Sequence, residues 1–150
     1  MIPADLFPSM VVLGEIGTAF ALCLREHPVG RAGVGGVDFH PENDPQTIFS
    51  FDLAVVLDRN KPVTRVGAAP FMPDIVAEIQ SPDRTHKAMA DRARTYLANG
   101  VRVVVLIYPA TRTVEVVTPD DTTLLTENDT LMLDLLPGFA VPVNALFSGI

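Results

Sequence analysis

The chain has 150 residues, of which 48% are hydrophobic and 19% charged, with a net charge of −7. That length suits one domain able to bury a real core, and the composition excludes a disordered chain. The acidic balance excludes a generic basic coat for nucleic acid, which relies on Lys and Arg, but it leaves room for a local basic groove or an acidic site that holds a cation.

The opening stretch, residues 1–10, has no basic segment followed by an apolar one, so no signal peptide is expected. Residues 9–26, SMVVLGEIGTAFALCLRE, are expected to form a helix. Val12, Ile16, Ala19, Phe20, Cys23 and Leu24 recur at helical spacing, Ser9 is a candidate N-cap, and Pro28 and Gly30 follow the end. Cys23 is the single cysteine, which rules out an internal disulfide and suits a cytoplasmic protein. On that apolar face it reads as a small buried hydrophobe. No apolar run is expected to reach the ~20 residues of a membrane span.

The stretch GRAGVGGVDF, residues 30–39, reads as a glycine-rich strand with bulges, and it lacks the Lys-Ser/Thr of a phosphate loop. PENDPQT is a turn cluster, residues 48–57 a β-branched and aromatic strand, and residues 58–70 a loop. A second strand covers 74–80. After SPDRT comes a helix over 86–99, with Met89, Ala93, Tyr96 and Leu97 on its apolar face and Asn99-Gly100 as its stop. VRVVVLIY, 101–108, is apolar enough to be a strand buried on both faces. TRTVEVVTPDDTTLLT predicts a hairpin turning at PDD, and LPGFAVPVNALF a proline-punctuated tail ending in a short helical turn. The order of elements is that of a mixed α/β domain.

Side chains alternate along a strand, so Asp74, Val76, Glu78 and Gln80 share one face, while Ile75, Ala77 and Ile79 take the other and can pack on a helix. Asp52 lies in the preceding strand. If the two strands are neighbours, Asp52 approaches Asp74 or Glu78. Burying such acids unpaired costs several kcal/mol or a large pKa rise, and a cation removes that penalty. Hard cations such as Mg²⁺ choose carboxylates and water, and no His or Cys cluster at zinc spacing competes. The plain alternative is that these acids sit near strand ends and face water, with Asp74 as a turn or cap residue.

Three stretches resemble the Uma2 family (DUF820) of restriction-endonuclease-like proteins: PDIVAEIQSPDRT (73–85), ADRARTYLANGVRVVVLIYPATRTVEVV (90–117) and LLPGFAVPVNALF (135–147). SFDLAVVLDRNKP is similar to the family's aspartate strand and the loop after it. The resemblance runs from about residue 10 to 147, one domain over 1–150 whose N-terminal segment is shorter than in many relatives. It implies the PD-(D/E)xK nuclease fold: a central mixed β-sheet flanked by helices, followed here by the C-terminal hairpin. It also implies roles. Asp52, Asp74 and Glu78 would hold Mg²⁺ or Mn²⁺, and Gln80 would stand where the strand lysine usually is. Arg92 would replace the helical lysine four residues before Tyr96. The implied reaction is phosphodiester hydrolysis assisted by the metal.

Several positions depart from that pattern. Arg92 keeps the charge but is effectively never deprotonated, so it can steady a phosphate without serving as a base. Lys87 lies five residues away, on a different helix face, and is expected to pair with Asp91 in solvent. Ser9 occupies the family's histidine position, Tyr108 stands where Asp-Pro is common, and Glu15 is either a site acid or an exposed helix acid. Two functions follow: a metal-dependent endonuclease, or a catalytically degenerate nuclease fold serving as an oligomerising or partner-binding module. Nucleic acid is the expected partner, with DNA favoured over RNA. No membrane is expected, and the apolar C-terminal hairpin and tail suggest a homodimer.

Overall fold

The computed structural model describes residues 6–150; the expectation about a signal peptide rests in part on residues 1–5, which lie outside that range. The chain runs α1 (Phe7–Glu26), β1 (Arg31–Phe39), β2 (Phe49–Val56), β3 (Ile75–Ile79), α2 (His86–Ala98), β4 (Val103–Tyr108), β5 (Thr113–Val117), β6 (Thr122–Leu125), β7 (Thr130–Met132), β8 (Ala140–Pro142) and α3 (Val143–Leu146). Strands β1 to β6 form one sheet in chain order, and β7 pairs with β8 in a second, two-stranded sheet. Only β3 and β4 run parallel, because α2 carries the chain back between them; every other neighbour is antiparallel.

Each face of the large sheet has its own core. On one side α1 lays Val12, Ile16, Phe20, Cys23 and Leu24 against Leu53, Val55, Ile75, Ala77, Val103 and Val105. On the other, α2 lays Met89, Ala93 and Tyr96 against Ala54, Val76, Val104 and Leu106. Every residue of β3 and β4 is buried, as a strand covered on both faces must be. Truncating Ile75 to Ala would therefore cost about 2–5 kcal/mol.

The sequence-based elements stand with small changes of boundary. In β1 the register slips between Val34 and Val37, and Gly35 and Gly36 supply the positive φ angles of 101° and 82° that the bulge uses. Ser9 is not the N-cap: Leu6 holds that position without a side-chain bond, and Pro8 stands in the first turn, where its missing N–H is not needed. The caps of α2 are Thr85, whose hydroxyl accepts from Ala88 N at 3.1 Å, and Asn99, followed by Gly100 with φ 106°. The strands β7 and β8 were not foreseen, because three residues each give no readable alternation.

One expectation is corrected. The helix α1 is in fact long and apolar enough by length and composition to cross a membrane; in this fold its buried stripe packs on the sheet, and Glu15, Arg25 and Glu26 interrupt the rest. Part of the apolar tail that suggested a homodimer packs within this chain. Leu136, Phe139, Val143, Leu146 and Phe147 join the α1-side core, with the Phe139 ring stacked on Phe20 at 4.2 Å.

Candidate active site

The decisive local feature lies where the β2–β3 ladder ends. The two strands pair through Leu53 and Ala77, so the next opposed residues are Asp52 and Glu78. Phe51 and Ala54 both belong to the α2-side core, whereas Leu53 lies in the α1-side core. Strict alternation fails between them, and Asp52 turns into a groove on the α1 side. The carboxylates take over from the ladder here. Ile79 N donates to Asp52 Oδ2 at 2.9 Å, and Asp52 N donates to Glu78 Oε2 at 3.1 Å. The two acids thus meet across the opening between the strands.

Glu78 is the one buried charged residue among those described, at 2% exposed. From α2, Tyr96 Oη donates to its Oε1 at 2.7 Å and Arg92 Nη2 donates to the same oxygen at 3.0 Å. These two residues are one helical turn apart, so a single face of α2 delivers both. Phe51 and Phe49 meet the Tyr96 ring edge-on at 4.8 and 5.8 Å, which fixes its rotamer. The Arg92 guanidinium lies 5.7 Å from the same ring, and its Nε is buried without a partner.

The charges are unevenly balanced. Burial, and then the neighbouring Glu78 charge, push the Asp52 carboxyl up from 3.8 to about 6, against the opposing pull of the Ile79 N–H and of Arg84. Burial works against the Arg92 charge, but the Glu78 carboxylate more than restores it and holds the guanidinium above its ordinary range. The Tyr96 phenol is pushed well up by burial and by Glu78, so it remains a donor at neutral pH. Asp52 therefore carries the uncompensated part of the paired negative charge.

Among the described residues, no group of three or more His, Cys, Asp and Glu side chains gathers at one point. Asp74 does not join Asp52 and Glu78. It precedes Glu78 by four residues, about 13 Å along a strand, and stands at the opposite end of β3. There its Oδ2 accepts from Leu57 N at 2.7 Å, Arg102 Nη1 lies 3.8 Å from Oδ1, and its carbonyl receives Arg102 N and Val103 N. The expected three-acid cluster is a pair, because an antiparallel register sends Asp52 to Glu78 and Asp74 to the end of β2. Gln80 also turns aside: its Nε2 donates to the Arg84 carbonyl at 2.8 Å and ties the β3–α2 corner. Lys87 pairs with Asp91 at 2.8 Å in solvent, as expected, and Glu15 is exposed on α1.

Two residues of the site were not foreseen. Tyr96 was read as core, and its spacing of four from Arg92 was the available signal that its hydroxyl reaches the same acid. Arg84 sat inside a turn signal; it lines the groove beside Asp52, with its Nη1 3.9 Å from Met89 Sδ.

The model of the Uma2 family, described as "Putative restriction endonuclease", matches residues 1–144. This chain belongs to the Uma2 family. Its fold is that of a crystal structure from Anabaena variabilis ATCC 29413, described as "a putative nuclease belonging to DUF820". The TM-score is 0.78 at 19% identity, over 99% of this chain and 83% of that one. No curated protein matches the Uma2 chain. The six-stranded mixed sheet with helices on both faces is therefore the nuclease-type fold that the sequence implied for a Uma2 protein.

Proposed function

We propose that this chain is a metal-dependent nuclease in which Asp52 and Glu78 are the two protein ligands of Mg²⁺ or Mn²⁺. The observation that carries the reading is the meeting of the two carboxylates at the β2–β3 opening, with Asp52 pushed up to about 6 by burial and by Glu78. The donor set fits a hard cation, which takes one or two carboxylates and completes its shell with water and substrate oxygens. Among the described residues, Asp52 Oδ1 accepts no hydrogen bond, and Glu78 Oε2 accepts only that of the Asp52 amide. When bound, such a cation supplies a water of lowered pKa and neutralises charge building on the phosphodiester.

The remaining work falls to the chain's own groups. Tyr96 and Arg92 hold Glu78 Oε1 from one side, which leaves Oε2 facing Asp52. Arg92 and Arg84 place positive charge on the two flanks of the acids, where phosphate oxygens would lie. Neither arginine abstracts a proton at neutral pH. Asp74 and Gln80, committed elsewhere, act on the fold rather than on the reacting phosphate.

The test is cleavage of DNA and RNA with Mn²⁺, comparing the natural chain with Glu78→Gln. Cleavage that EDTA stops and the variant loses by about two orders of magnitude is expected for loss of a metal ligand. Equal cleavage by both proteins, or none on any nucleic acid, removes the proposal. One observation favours the other reading, a silent nuclease fold that binds a partner: Arg92 already sits on Glu78 as a cation would. That reading requires no divalent affinity at the site.

A further inference from the structure

We propose that the groove beside Asp52 is a subsite for one unpaired nucleotide, so that single-stranded nucleic acid is the substrate class; this rests on the nuclease reading above. The groove lies between the N-terminal half of α1 and the β3–α2 corner, with a volume of about 350 Å³. Its wall is apolar at Met10 and Leu13, polar at Ser81, and charged at Arg84, with Asp52 at the inner end.

Four observations point to this occupant. Glu78 is almost wholly buried, whereas Asp52 lines the groove, so the groove gives the acid pair an opening to solvent. The volume is at the small end of the range that holds small ligands, a size for one nucleotide; in a duplex the bases stay stacked and paired, out of reach of such a groove. The wall offers a base a thioether and an aliphatic shelf, Met10 being 46% exposed, beside a guanidinium suited to phosphate. Finally, the chain carries −7 overall, and among the described residues the cations beside the acids are Arg84 and Arg92, the latter already paired with Glu78. A duplex brings one negative charge per about 1.7 Å, twice the density of a single strand. An acidic protein with two flanking arginines favours the sparser chain. Enzymes that reach a recessed centre likewise act on unpaired or extruded nucleotides.

The experiment measures fluorescence anisotropy of a short labelled oligothymidylate and of a short duplex, with Ca²⁺ replacing Mg²⁺. The single strand is expected to bind about tenfold tighter than the duplex, and Met10→Glu and Arg84→Ala are each expected to weaken it by about fivefold or more. Leu22→Glu, exposed on the same helix outside the groove, is expected to bind as the natural chain does. Duplex binding as tight as single-strand binding, or groove variants without effect, overturns the inference. If duplex DNA is then cleaved with Mn²⁺ and Glu78→Gln is inactive, the nuclease reading stands without the subsite. If neither nucleic acid binds, both fall.

Discussion

Asp52→Asn should make the protein more stable at neutral pH, although it alters a site residue. In the folded chain the carboxyl is raised from 3.8 to about 6. Because the folded state prefers the proton, stability falls as pH rises from about 4 through about 6, and the penalty is complete above that window. A shift of that size corresponds to about 3 kcal/mol; discounted for partial solvent access, about 2 kcal/mol remains. The amide keeps an oxygen for Ile79 N, and its N–H can donate towards Glu78, replacing repulsion with a hydrogen bond. For a chain of this size the gain is about 4–8 °C in Tm. The assay is a series of melts of both proteins from pH 4 to pH 8 without divalent ions, read as the difference in Tm at each pH. The difference should be near zero at pH 4 and grow through pH 6. A variant less stable at pH 8, or a difference that does not change with pH, refutes the reasoning.

Glu78→Ala should act in the opposite direction: it strips the partner from the Arg92 guanidinium and the Tyr96 hydroxyl, and a loss of about 3 kcal/mol is expected by chemical denaturation. Tyr96→Phe removes one buried hydrogen bond to Glu78, with a loss of about 1–2 kcal/mol in the same measurement. Asp74→Ala should cost about 1–2 kcal/mol through the lost bond to Leu57 N and leave Mn²⁺ affinity unchanged, because Asp74 stands at the other end of β3. Mn²⁺ affinity, measured by titration at a series of pH values, should rise with pH across about 6, because the cation has to displace the proton from Asp52. A Lys87→Ala variant should melt with the natural chain, since its ion pair lies in solvent.

Much of this was legible in the chain itself. The alternation in IVAEI placed Glu78 on the face opposite Ile75, Ala77 and Ile79, and those three do pack beneath α1. The apolar stripe of α2 and the unbroken apolar run of β4 were likewise readable, because periodicity reports which side is buried. Register was not readable. Composition and spacing allowed Asp52 to meet either Asp74 or Glu78, and only the antiparallel pairing of Leu53 with Ala77 chooses Glu78. The break in alternation at Asp52 was also hidden, since it arises from the opening of the ladder and not from any residue type. Tyr96 illustrates a third limit: an aromatic on an apolar helix face reads as core, and it is core, while its hydroxyl serves the acid above it.

The central claim, that Asp52 and Glu78 share a divalent cation, is tested most directly by calorimetric titration of Mn²⁺ at pH 7.5 into the natural chain, Asp52→Asn and Glu78→Gln. One saturable site in the natural chain, lost in both variants, is the predicted result. An absence of binding in the natural chain, or the same binding in all three proteins, would contradict it.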